Sequence, residues 1–199
     1  MFAYCGNNSL NNSDPIGYYR VSVLDDDPGY PLFITNQEAS GVGDKRFGVV
    51  SVAHGGCGAI ATYNANLILD SNESFDSVLG YYNKVPYYRL TAGGLLGMFP
   101  TSVASYFKEK GKTVIMTDSL DGIDIYSQTA DACIMYYVFP TEFAGAELVG
   151  AHFVTYHRSG NKYVGYNTES RTGITIFAAP SDYAYRNNRL YAIGIFIYE

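Results

Sequence analysis

Two periodicities of apolar and polar residues divide the chain. From Ala59 to Leu69 the residues run Ala-Ile-Ala-Thr-Tyr-Asn-Ala-Asn-Leu-Ile-Leu, without Pro or Gly. Ile60, Asn64, Leu67 and Ile68 fall on one helical face, which predicts a helix with a core-facing stripe, ended at Asp70-Ser71-Asn72. Ser74 to Asn83 predicts a second helix with Ser74 as its cap. Thr101 to Lys110 predicts a third, capped by Thr101 or Ser102, with Val103, Tyr106 and Phe107 as its stripe and Gly111 as its stop. Beyond Gly111 the character changes. Thr113–Thr117, Ala132–Phe139, Ala151–Arg158, Lys162–Asn167, Gly173–Ala178 and Leu190–Tyr198 predict strands. Turn signals at Asp121-Gly122, Ser159-Gly160 and Thr172-Gly173 join them. Upstream, Tyr18–Leu24 alternates as a strand does, and Pro31–Thr35 predicts a short one. Helices followed by strands at hairpin spacing imply an α+β fold with an antiparallel sheet. We expect one domain over 1–199, with an N-terminal extension at 1–48, a helical part at 49–112 and the sheet at 113–199.

Composition narrows the function. The 199 residues carry a net charge of −6, and the few Lys and Arg are scattered, which argues against a nucleic-acid partner. No apolar run is long enough for a membrane span. The start, Met1-Phe2-Ala3-Tyr4-Cys5, lacks the basic and apolar regions of a signal peptide, so a cytoplasmic location is expected if Met1 is the native start. Three cysteines, Cys5, Cys57 and Cys133, make no disulfide framework, and they show no zinc-type spacing with His54, His152 or His157. No metal or cofactor is expected. The 20 tyrosines suit half-exposed sheet faces and binding surfaces.

The chemistry centres on His54-Gly55-Gly56-Cys57-Gly58, at the start of the first helix. Helix N-termini present free N–H groups and the positive end of the dipole. A thiolate placed there has a lowered pKa and is a better nucleophile at neutral pH. Gly55 and Gly56 leave room for a substrate backbone. Such a nucleophile needs a base, and the base needs an orienting group. His152 opens the strand Ala151–Arg158, and Asn167 ends the next. If Ser159-Gly160 is a two-residue turn, His152 falls directly opposite Asn167, with Cβ atoms about 4.5–5.5 Å apart. If the turn is Gly160-Asn161, Asn167 is diagonal to His152 on the same face and Glu169 is opposite. Either register suits a Cys-His-Asn triad.

A helix-start Cys57, then His152 in Gly150-Ala151-His152-Phe153-Val154, then Asn167, resembles the papain-like cysteine peptidases over roughly residues 50–180. The nearest likeness is the compact branch typified by bacteriocin-leader-processing peptidases. The resemblance implies a cysteine hydrolase, most simply a peptidase, acting on a peptide or protein through a thioester acyl-enzyme. Its site would be Cys57 as nucleophile, His152 as base and Asn167 as orienting group, with Tyr81 and Tyr82 lining the substrate groove beside Gly55 and Gly56. One feature departs from the family. The glutamine six residues before the cysteine, an oxyanion donor, is replaced by Ser51. Loss of one such donor costs on the order of 10²–10³ in rate. Ser51, His54 and Gln37 are the candidate replacements, beside the Cys57 N–H. The departure keeps two other readings open, an inactive peptide-binding module and an acyl or amide-group transferase working through the same thioester.

Overall fold

The computed structural model describes residues 33–85, 89–94, 96–143, 146–168, 170, 172–185 and 189–199. Cys5, the expected strand Tyr18–Leu24 and the first two residues of Pro31–Thr35 lie outside the described residues. A small hairpin of β1 (Arg46–Phe47) and β2 (Val50–Ser51) leads into a one-turn helix, α1 (Val52–Gly55). Gly56 turns the chain, and α2 (Cys57–Ile68) starts at once. α3 (Phe75–Asn83) is capped as expected, the Ser74 Oγ accepting from the Ser77 N–H at 3.2 Å. α4 (Pro100–Glu109) has Phe99 at its N-cap instead of Thr101 or Ser102. Pro100 explains the shift: the first helical position has no use for an N–H, and the ring already holds a helical φ.

The second half comprises β3 (Thr113–Thr117), α5 (Leu120–Ser127), β4 (Ala132–Phe143), β5 (Ala146–Ser159), β6 (Lys162–Tyr166), β7 (Ile174–Phe177), α6 (Pro180–Ala184) and β8 (Tyr191–Tyr198). The six strands β3 to β8 form one sheet in the order β3-β8-β4-β5-β6-β7, and every neighbouring pair is antiparallel. The α+β class therefore holds. Two helices, α5 and α6, lie between strands of the sheet. Asp121-Gly122, expected as a turn, lies in the first turn of α5. Ser119 caps that helix, its Oγ accepting from the Gly122 N–H at 3.4 Å, and Asp121 sits where the dipole favours an acidic group. Phe33 to Asn36 belong to no strand.

Alternation along the strands gives the sheet two apolar faces. Ala132, Ile134, Phe153, Ile195 and Ile197 pack with residues of α2, α3 and α4. Cys133, Met135, Tyr137, Val154, Tyr156 and Phe196 pack with Ile123 of α5 and Tyr183 of α6. α2 lies between the sheet and the other two helices, and its residues from Cys57 to Asn66 are all buried. It is a central helix and not the one-striped surface helix of its periodicity.

That burial makes its polar side chains structural. Thr62 bonds to the Gly58 carbonyl at 2.8 Å and shares a hydrogen bond with the Tyr82 hydroxyl at 2.7 Å. Asn66 donates to the Tyr106 hydroxyl at 2.7 Å, which donates to Glu73 at 2.6 Å. Asn64 grips the main chain of Ile34 at both ends, accepting from its N–H and donating to its carbonyl, each at 2.9 Å. The side chain thus does for residue 34 what a neighbouring strand would do. Phe33 then stacks on Tyr166 with ring centroids 4.1 Å apart.

Asn64→Leu leaves both Ile34 main-chain groups without these bonds in a buried place. We expect a loss of about 2–4 kcal/mol, read as a lower urea midpoint at unchanged slope. A change below 0.5 kcal/mol (roughly the surface-substitution range) would rule out the tether.

Candidate active site

The nucleophile candidate is set by the turn before it. Cys57 is the first residue of α2, buried, with Gly56 at the N-cap and no side chain capping the helix. The Gly56 N–H is held by the Val52 carbonyl at 2.8 Å, so α1 and α2 meet through a single residue. The neighbouring loop is packed against this turn at distances no side chain permits. A Cβ on Gly55 would lie 2.5 Å from the Gly94 carbonyl oxygen, and one on Gly48, at φ +62°, would lie 1.8 Å from that of Gly93. At Gly55 and Gly56, expected to make room for substrate, a Cβ would meet the Gly94 carbonyl and Val52 respectively. Met98 covers the first turn of α2, its side chain against Gly58.

α2 packs on β5 and β4. The Thr155 hydroxyl donates to the Ala61 carbonyl at 2.7 Å, one turn along from Cys57. Going back along β5 from Thr155 leads to Phe153 and His152. On β4, Tyr136 pairs with Phe153 and Tyr137 with His152. The Tyr136 hydroxyl pKa is raised, first by burial and then by electrostatic interaction with Cys57 and with Tyr191. On β4, His152 thus faces Tyr137, the residue after the Tyr136 that Cys57 influences, and its ring stands 5.7 Å from that of Tyr137. The faces differ: Phe153 and Thr155 point to α2, whereas Tyr137, His152 and Val154 point to the other side. Among the described residues, the part of β5 that precedes Thr155 has no ladder partner on its β6 side.

His152 and Asn167 are joined, in a way the residue types alone do not reveal. Ser159 pairs with Lys162, so the turn is Gly160-Asn161 and the diagonal register is the one adopted. The imidazole Nε2 lies 2.5 Å from the main-chain carbonyl oxygen of Asn167. A carbonyl only accepts, so Nε2 carries the proton, which leaves Nδ1 to act as base when the ring is neutral. Asn167 has a left-handed φ of 59°, which turns the chain out of β6 and aims its carbonyl at the ring. Its side-chain Nδ2 is buried with no hydrogen-bond partner among the described residues.

The oxyanion candidates all lie just ahead of Cys57. Gln37 is buried, and its Nε2 donates to the Val52 and Ala53 carbonyls at 2.7 and 3.1 Å. That amide braces α1 and is not available to an oxyanion in this arrangement. Ser51 is the N-cap of α1 with no side-chain capping bond, and His54 lies in its last turn. Both are half-buried. Tyr82 is fully buried, bonded to Thr62, and so faces the core and not a groove. Tyr81 is half-buried with the Arg89 guanidinium 3.6 Å from its ring centroid.

A surface that sequence reading missed opens in front of Cys57. On the α2 side of β4, burial fades from Ala132 and Ile134 through Tyr136 and Val138 to Pro140. On β5 it fades from Thr155 and Phe153 through Ala151 to Val149, and on β8 from Ile197 and Ile195 through Ile193 to Tyr191. Val149 is 46% exposed and Tyr191 43%. Three adjacent strands thus run out of helix cover at one level, leaving a mostly apolar shelf beside the start of α2. Its signal in the sequence was strand residues running past the helix they pack on, and that is visible only once the register is known.

Because the acceptor is a main-chain carbonyl, Asn167→Gly is expected to keep the His152 Nε2–H bond, seen as a persistent downfield ring-proton resonance. Asn167→Ala is expected to cost roughly 1–2 kcal/mol through its left-handed φ while keeping the same resonance. Loss of the resonance in the glycine variant would instead assign the bond to the side chain.

No protein-family model matches the chain, and no curated protein matches it. Among solved structures, the fold is similar to the peptidase domain of Streptococcus ComA, described as a bi-functional ABC transporter involved in a quorum-sensing pathway. The identity is 12% and the TM-score 0.45, over 71% of this chain and 90% of that one.

Proposed function

We propose that the chain is a cysteine peptidase in which Cys57 attacks a peptide carbonyl and His152 moves the proton. The observation that carries the reading is the His152 Nε2–Asn167 carbonyl bond, taken with Cys57 at the first position of α2. That bond fixes one tautomer, and an imidazole so held presents Nδ1 as a base. The reading requires this nitrogen to reach the thiol past the edge of β5 that β6 leaves open.

The reaction then runs as follows. His152 Nδ1 takes the Cys57 proton, and the sulfur adds to the substrate carbonyl carbon. The Cys57 N–H at the helix start donates to the resulting oxyanion. The tetrahedral adduct collapses, the C–N bond breaks, and the imidazolium gives its proton to the departing amine. Water, deprotonated by His152, adds to the thioester, and the acid product leaves with the thiol restored. The shelf of Tyr136, Val138, Ala151 and Tyr191 lies where one side of an extended peptide would rest, and its chemistry selects apolar or aromatic residues there.

Cys133 supplies an internal control. It is buried, and burial pushes its thiol up to about 12. At pH 7 iodoacetamide is expected to label Cys57 at least tenfold faster than Cys133, and His152→Ala to remove most of that advantage. Equal labelling of the two, or indifference to His152→Ala, would sink the assignment. A reactive Cys57 that yields no acyl-enzyme with any of a set of peptide thioesters would favour a binding module instead.

Substrate preference has its own check. Val138→Asp puts a carboxylate on the shelf and is expected to raise KM for peptides with a large apolar residue by tenfold or more, at a kcat within threefold. An unchanged KM would place the substrate elsewhere.

A further inference from the structure

The helix that begins with Cys57 and the strand that carries His152 are tied by a bond that takes no part in the reaction itself. The Thr155 hydroxyl of β5 donates to the Ala61 carbonyl of α2 at 2.7 Å, and both residues are fully buried. Around this bond α2 and the sheet share an apolar core that includes Ile60, Ala61, Ile134 and Phe153. Apolar burial is non-directional and sets little more than a separation. A hydrogen bond to a main-chain carbonyl weakens steeply as its angle or length changes, so it holds the helix along its axis as well. Ala61 lies one turn, about 6 Å of helix axis, from Cys57. Thr155 lies about 10 Å along the strand from His152.

Thr155 is itself held on both sides of its strand. It pairs with Ile134 on β4 and with Tyr166 on β6. Tyr166 is the last residue of β6, and Asn167, which follows it, supplies the carbonyl that meets the His152 Nε2. The helix with the thiol, the strand with the imidazole and the strand end that orients the imidazole therefore converge on one side chain. We propose that Thr155 is a positioning residue for Cys57. Its hydroxyl sets where the start of α2 stands along β5, and so where the thiol stands relative to the imidazole. A displacement of about 1 Å between reacting groups can cost on the order of 10²-fold in rate, so the tie matters to reactivity even where the fold survives without it. This inference rests on the reading of Cys57 as nucleophile and His152 as base.

The test uses iodoacetamide labelling of the full chain at pH 7, with Cys133 as the reference thiol. Thr155→Val keeps the shape and removes the hydroxyl. The Ala61 carbonyl keeps its helical acceptor role, so the variant is expected to fold. Its ratio of Cys57 to Cys133 labelling is expected to fall at least tenfold. Thr155→Ser, which restores the hydroxyl, is expected to return the ratio to within threefold of the parent. Thr62→Val removes the bond from α2 to Tyr82 of α3 and serves as the control, with a lower melting temperature expected at a ratio within threefold of the parent. A folded Thr155→Val variant with an unchanged ratio overturns the proposal. So does a serine variant that fails to recover the ratio, or a Thr62→Val variant that lowers it as far. In the parent, the Thr155 hydroxyl proton is expected to be shielded from water and to give a resolved resonance, and its absence overturns the tie whether or not the variants fold. A parent whose Cys57 labels no faster than Cys133 defeats the peptidase reading and this proposal with it. A reactive parent indifferent to Thr155→Val defeats the tie alone.

Discussion

The structure depends on burying α2. A helix enclosed from Cys57 to Asn66 has no face to give to solvent, so its contacts must be satisfied on every side. The sheet takes one side, α3 and α4 take another, and Asn64 draws in the segment at Phe33–Ile34 to close a third. Only the ends of such a helix can meet water or a ligand. Its first residue is a cysteine, and the sheet floor next to that end is the part left partly open. The place of the candidate chemistry thus follows from packing geometry before any catalytic argument is made. The unpaired N–H groups of the first turn add a preference for negative charge there.

Much of this could be read from residue patterns, and the failures have identifiable causes. Strands β4, β5 and β8 declared themselves by alternation, because each sends one row of side chains into the core with α2, α3 and α4 and the other into the core with α5 and α6. The central helix was found at its correct start, but as a one-sided helix, since periodicity cannot distinguish Thr62 or Asn66 pointing at water from the same residues bonded to buried tyrosines. α5 was missed because Asp121-Gly122 is a strong local turn signal, and only the Ser119 cap with the buried Ile123 reverses it. Tyr82 was expected at a surface on the strength of its residue type. Its hydroxyl finds Thr62 inside the core, so the whole ring can be buried.

The pair His152 and Asn167 shows a finer limit. Sequence spacing restricted them to one face of a hairpin in either of two registers, and one of those registers is adopted. What spacing cannot predict is that the acceptor is the peptide carbonyl. That depends on the left-handed φ of Asn167, a conformation asparagine tolerates better than most side-chain-bearing residues. The identity of the side chain is then tied to the shape of the backbone, and the orienting atom is one that every residue possesses.

The glycine contacts between the Cys57 turn and the Thr91–Gly94 segment bear on how such a site can diversify. Where a peptide oxygen occupies the volume a Cβ would need, the two backbones behave as a single rigid block, and neither can be retuned one residue at a time. Variation among related chains would then be channelled away from this block and onto the shelf, where Tyr136, Val138, Ala151 and Tyr191 stand on strands whose backbone tolerates exchange of side chains. The glycine turn acts as a fixed ruler, and the shelf carries the markings.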